Sequence, residues 1–173
     1  TAQTANSVYA SFLVNVTSAT STGDYFIHFS TSPLSTSYFD GRIYIKSTGT
    51  GTFDFGLAKL TEAAVYSGNN YNYGTTYLLV LKYEIVDDTN NDILSLFINP
   101  NISGTEPTPI ISISPNSADI TNIGSIAIRQ GSNTPTLKLD GIRVATSWEN
   151  LFEISEQPPL PVVLTSFMAA ISN

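Results

Sequence analysis

The sequence contains no cysteine, which removes disulfides, thiolate nucleophiles and thiolate metal ligands together. It contains one histidine, His28, so a zinc site would have to be built almost wholly from carboxylates. Charge is scarce: 12% of the 173 residues are charged, against the quarter usual in a globular domain. Basic residues are scarcest, 7 against 14 acidic, for a net charge of −7. No stripe is available to neutralise phosphates, which excludes nucleic acid as a partner. No apolar run approaches the roughly 20 residues of a membrane helix, which argues against membrane insertion. The opening residues, TAQTANS, carry neither a charged nor an apolar leader region, and a mature, processed chain is expected.

What is present points to one folded domain. Hydrophobic residues make up 42% and aromatics 11%, enough for a core and too much for disorder. Much of the remainder is Ser, Thr and Asn; with few lysines and nine tyrosines, this composition suggests an extracellular, cell-surface protein.

Period-two segments recur along the chain. Val8, Ala10, Phe12, Val14 and Val16 alternate with Tyr9, Ser11, Leu13, Asn15 and Thr17. Further strands are expected at 25–31, at 42–46 after an Asp40-Gly41 hairpin turn, at 52–58 and at 76–86. A polar turn at 87–92 leads to a partner strand at 93–98, and Asn101 to Pro109 reads as loop. Segments 110–114, 125–129 and 136–144 complete the set, the last with a bulge or bend at Asp140-Gly141. The one helical turn expected is 147–152, capped by Ser147, with Trp148 as a core anchor. Short strands with turn signals every 8–12 residues predict an all-β antiparallel sandwich over residues 1–152.

After Phe152 the character changes. Residues 153–161 (EISEQPPLP) form a Pro-rich linker that Pro158, Pro159 and Pro161 would hold extended, reaching about 28 Å. Residues 162–173 begin with an apolar stretch, VVLTSFMAAI, expected to be an extended C-terminal strand. Val163, Leu164, Phe167, Met168 and Ile171 are its candidate inserting side chains, either in the chain's own body or in a neighbouring subunit.

Three segments carry a resemblance. The run 77–100 (YLLVLKYEIVDDTNNDILSLFINP), the run 122–151 with Arg-Gln-Gly, Leu-Asp-Gly-Ile-Arg-Val and Thr-Ser-Trp, and the opening marks Tyr25-Phe26, His28-Phe29 and Gly41-Arg42 resemble a module of secreted bacterial proteins. That resemblance, spanning residues 7 to 152, implies a concanavalin-A-like jelly roll, related in shape to laminin-G and pentraxin modules. It implies little about activity, because the fold hosts many functions. The stretch LPVVLTSF at 160–167 resembles the segment preceding the sorting domain of proteins exported by the type-nine route. This implies a surface-linked protein from which the sorting domain has been removed.

Catalysis finds little support in the residues. The Glu-x-Asp-x-Glu alternation of jelly-roll hydrolases is missing: Glu84 and Asp87 are three apart, and Asp54 stands alone between Phe53 and Phe55. His28, mid-strand between Ile27 and Phe29, reads as structural. Asp87, Asp88, Asn90 and Asp92 gather oxygen ligands suited to calcium, although a polar hairpin turn explains the same residues. The resemblance adds that jelly rolls of this shape often hold calcium at a rim. Tyr71 and Tyr73 with Asn69, Asn70 and Asn72 form a candidate glycan patch, the competing reading being that the tyrosines cover the sandwich edge. The function expected is a non-catalytic extracellular structural or adhesive subunit that associates with itself, a filament growing by C-terminal strand insertion. The alternative is a lectin-like, polysaccharide-binding module, with calcium as its one candidate cofactor.

Overall fold

Alternation decides which side chains each strand sends inward, and the structure follows it closely. The structure, a computed structural model, describes residues 1–153. In chain order the strands are β1 (Asn6–Ser18), β2 (Asp24–Ser30), β3 (Asp40–Gly49), β4 (Thr52–Ala58), β5 (Val65–Tyr66), β6 (Tyr71–Asn72), β7 (Thr76–Ile85), β8 (Ile93–Ile98), β9 (Ile111–Ile113), β10 (Ser125–Ile128) and β11 (Thr136–Ala145), followed by a short helix α1 (Trp148–Phe152). One sheet has the order β11-β1-β7-β8-β9 and the other β10-β2-β3-β4-β5, with β6 also on β4; every pairing is antiparallel. The expected all-β sandwich is borne out. The linker prolines Pro158, Pro159 and Pro161 and the assembly residues Val163, Leu164, Phe167, Met168 and Ile171 lie outside the described residues.

Val8, Ala10, Phe12, Val14 and Val16 all point into the core, where they meet Phe26, Phe29, Ile43, Ile45, Phe53, Phe55, Leu79 and Leu81. Phe12 of the first sheet and Phe26 of the second meet edge to face at 6.2 Å. The other side of β1, β7 and β8 is covered too. Tyr9, Val80 and Phe97 pack under α1, where Trp148 is 2% exposed and lies 5.1 Å from Phe97. Ser147 caps that helix, its side chain accepting from the Asn150 amide. The expected role of Trp148 as an anchor is thus what the packing shows.

Two Asp-Gly pairs kink the sheets in the same way. Asp40-Gly41 lies inside β3, not at a hairpin turn, which corrects the expectation from sequence. Phe29 pairs with Asp40 and Ile27 with Ile43, so an extra residue is accommodated opposite β2. Gly41 takes φ 60° and its amide donates to the Asp40 carboxylate at 2.8 Å. Asp140-Gly141 repeats this in β11, with φ 64° and a 2.7 Å bond, opposite Phe12 of β1. Both are bulges whose left-handed residue is glycine.

A buried polar network joins the sheets at one end. Asp40, fully buried, also accepts from the Leu60 amide and, at 3.4 Å, from the Tyr83 hydroxyl. Tyr83 also bonds Asp92 at 2.8 Å, and the other Asp92 oxygen accepts from the Val86 amide at 2.8 Å. The fully buried Lys59 is paired with Asp119, which also accepts from the Asn91 and Asp92 amides. Burial raises the Asp119 pKa, but the Lys59 ammonium and the two amides outweigh it and hold the carboxyl below its usual range. For Asp40 burial wins over the Gly41 and Leu60 amides and Lys59, and the pKa is pushed up to about 6.

A carboxyl raised in the folded state keeps a proton that the unfolded chain has released. Its stabilising effect is full below pH 3.8 and disappears as pH rises through about 6. At about 1.4 kcal/mol per unit, urea unfolding is therefore expected to show stability falling by about 1–3 kcal/mol between pH 4 and pH 7. Asp40→Asn should flatten that slope; an unchanged slope would assign it to other groups. At the neighbouring turn, Asp92→Ala should cost about 1–3 kcal/mol, because it strands the Val86 amide, whereas Asp87→Asn with Asp88→Asn should leave the unfolding midpoint unmoved.

Candidate ligand-binding face

The first sheet's outer face is packed beneath α1, whereas among the described residues no helix or strand crosses the outer face of the second. Alternation in β3 sets what that open face carries. Ile43 and Ile45 are fully buried, so Arg42, Tyr44 and Lys46 point outward. Tyr25 of β2 pairs directly with Tyr44, their rings 5.4 Å apart, and the Arg42 guanidinium lies 5.2 Å from the centre of each. From just beyond β10, Arg129 covers the other side of this group, 4.3 Å from the Tyr25 ring and bonded to Asp24 at 2.7 Å. The ammonium of Lys46 sits 3.8 Å above the Tyr66 ring.

Tyr66 in turn lies over Gly56, its cross-strand partner; a Cβ on Gly56 would come within 2.8 Å of the ring. The glycine makes room, and the ring covers the backbone that it exposes. Asp54, directly opposite Lys46, is 3% exposed and occupied in holding the following turn: it accepts from the Ser67 hydroxyl and, at 2.9 Å, from the Gly68 amide. Beneath the array His28 is buried between Tyr25 and Phe39, and its Nδ1 donates to the Phe29 carbonyl at 2.9 Å. Burial lowers its pKa and keeps it neutral. Burial also raises the pKa of Tyr44 and Tyr66, so both hydroxyls stay protonated and can donate.

The charges here differ from those elsewhere. On the first sheet Lys82 is held between Glu84 and Glu106, each at 3.1 Å, and these bonds raise its pKa against the effect of burial. Arg42 and Lys46 make no ion pair among the described residues. Among the described residues Arg42 donates only to the Glu62 carbonyl, at 3.1 Å, and its buried Nε has no partner there. A chain of net charge −7 thus sets two guanidinium groups, one ammonium and three tyrosine rings on one sheet face.

The sites expected from sequence fall elsewhere. Tyr71 and Tyr73 are half-buried at one end of the core. Tyr71 has ring centres of Phe55, Tyr77 and Phe53 at 4.9, 5.3 and 5.9 Å, and Tyr73 lies 5.2 Å from Phe53. Asn69, Asn70 and Asn72 are exposed beside them, with the Asn69 side chain near the Tyr71 hydroxyl. The proposed calcium ligands do not converge. Asp92 is turned inward with both oxygens engaged, while Asp87, Asp88 and Asn90 face solvent; Asp88 and Asn90 adopt φ 98° and 61°, as turn residues do. Among the described residues no group of three or more His, Asp or Glu side chains is placed to hold a metal ion. The array on β3 was missed, although the alternation in Arg42-Ile-Tyr-Ile-Lys46 signals it; what sequence could not supply was the arrival of Tyr25, Tyr66 and Arg129 beside it.

No protein-family model and no curated protein matches the chain. Among solved structures it is similar to the native heptameric SAP-like pentraxin from Limulus polyphemus, with a TM-score of 0.55 and 14% identity over 86% of this chain and 70% of that one. At that identity the likeness is one of fold, and it makes this sandwich a pentraxin-like jelly roll.

Proposed function

We propose that the chain is a non-catalytic, extracellular carbohydrate-binding module that takes acidic polysaccharides on the outer face of its second sheet. One observation carries this reading: among the described residues Arg42 and Lys46 have no carboxylate partner, on a face shared with Tyr25, Tyr44 and Tyr66. With the ring faces engaged by the cations, the Tyr44 and Tyr66 hydroxyls, kept protonated by burial, are the groups that can donate to a sugar's oxygens. A guanidinium or ammonium next to them selects a sugar bearing a carboxylate or sulfate, through a charge-assisted hydrogen bond. The lysine-poor, Thr- and Asn-rich composition supports the extracellular placement. The carboxylates that could do chemistry are otherwise employed: Asp40 and Asp92 are sealed in the network between the sheets, and Asp54 holds a turn. A filament grown by insertion of residues 162–171 into a neighbour rests on residues outside the described part and is no part of this reading.

Affinity electrophoresis separates the alternatives. Mobility should be retarded by polygalacturonate or alginate and not by dextran. Lys46→Gln should weaken the interaction about 10-fold or more, the worth of one hydrogen bond to a charged group. Gly56→Ala should weaken it as well, by pushing Tyr66 off its seat, while the unfolding free energy falls by about 1–3 kcal/mol and the chain stays folded. Equal retardation by neutral and acidic polymers, or full retention in Lys46→Gln, would remove this face as the site.

A further inference from the structure

Among the described residues Lys59 is the one lysine that is fully buried. It stands directly after β4, and its ammonium meets Oδ1 of Asp119, in the connection between β9 and β10. That oxygen is the only hydrogen-bond acceptor its three donors find among the described residues. Lys82, by contrast, lies nearer the surface between two carboxylates. An ammonium sealed away from water against a single carboxylate carries a desolvation cost that one partner repays poorly.

Asp119 is placed as an electrophile as well as a counter-ion. Its Oδ1 also accepts from the Asp92 amide at 3.2 Å, and its Oδ2 accepts from the Asn91 amide at 3.3 Å. Fixed backbone donors of this kind stabilise the negative charge that develops on a carboxyl oxygen when a nucleophile adds to its carbon. A third group stands close by. Asp40 accepts from the amide of Leu60, the residue after Lys59, and the Lys59 ammonium acts on its pKa. Burial brings that pKa up to about 6, so near neutral pH Asp40 can both take a proton and return it.

We propose that Lys59 and Asp119 condense to an amide, a covalent cross-link between the end of β4 and the connection from β9 to β10. The atoms balance without an outside reagent. Lys59 gives one proton to Asp40, and the freed amine adds through Nζ to Cγ of Asp119. The C–Oδ1 bond then breaks, and Oδ1 leaves as water with two protons that began on Nζ, one of them returned by Asp40. The third proton stays on the amide nitrogen, and Oδ2 becomes the amide carbonyl, still facing the Asn91 amide. The Asp119 side chain is 17% exposed, which opens a way out for the water. Two opposite charges are removed from a buried place, and the fold has already brought nitrogen and carboxyl together, so the step is intramolecular. In a chain without cysteine no disulfide can staple these segments.

The intact mass of the denatured full chain tests this. It should fall short of the sequence mass by one water, and proteolysis should release a branched peptide containing both Lys59 and Asp119. Lys59→Met should show its full sequence mass. Asp40→Asn, similar in shape but unable to relay the proton, should remain largely unlinked; linking as complete as in the parent chain overturns the part assigned to Asp40. Ring closure to a succinimide at Asp40-Gly41 or Asp140-Gly141 would also lose one water, but it leaves linear peptides. A parent chain at its full sequence mass, or a water lost at either Asp-Gly pair, overturns the proposal.

Discussion

Burial of one side of each sheet is the constraint from which the rest follows. Among the described residues twenty-three side chains form the main core cluster, most of them from alternate positions of the strands of both sheets. Because the period is two, fixing the inward set fixes the outward set as well. Two outer faces are left over, and the chain treats them differently. On the first sheet Tyr9, Val80 and Phe97 are apolar enough to need a cover, which α1 supplies. On the second the outward residues are amphipathic: the charged head of each cation lies over a tyrosine ring, so ring and charge cover one another. That face needs no cover to be stable, so it can be left open for a ligand.

The strands were legible because alternation is a local signal. The long strands and the Ser147-capped helix stand where the sequence places them, to within one or two residues at most ends. What failed were features whose cause is not local. β5 and β6, two residues each, have no pattern of their own and exist because β4 offers them an edge. Asp40-Gly41 has the chemistry of a hairpin turn, but the chain turns earlier, between Thr31 and Phe39, and the left-handed glycine serves a bulge instead. In the Asp87–Asp92 turn five oxygen-bearing side chains read alike. Nothing in that run says that Asp92 is claimed from inside by Tyr83, nine residues earlier. For Tyr71 and Tyr73 the polar stretch left two readings, an exposed patch or a cover for the sandwich edge, and Phe53 and Phe55 draw their rings toward the core.

The same distinction explains why the open face stayed out of sight. Period-two reading assigns Arg42, Tyr44 and Lys46 to one side, but it cannot say what stands beside them. Arg129 and Asp24 are 105 residues apart in sequence and bonded in space, brought together by the pairing of β10 with β2. Pairing partners in an antiparallel sandwich are set by the packing of the whole core, so a site assembled across four strands has no compact signature in the chain.

Electrostatics gives the open face a particular character. At long range an anion meets a chain of net charge −7, and steering is unfavourable. At physiological salt the Debye length is about 8 Å, so within contact distance the local cations decide the interaction. Lowering the salt lengthens the reach of both the distant acidic residues and the near cations, and the two changes oppose each other. In the proposed interaction, affinity is therefore governed by how slowly a bound acidic group leaves Arg42 and Lys46, not by how fast it arrives. The tyrosines contribute to that slowness directly: by stacking on the cations they hold the heads in place before a ligand comes, which reduces the side-chain entropy lost on binding.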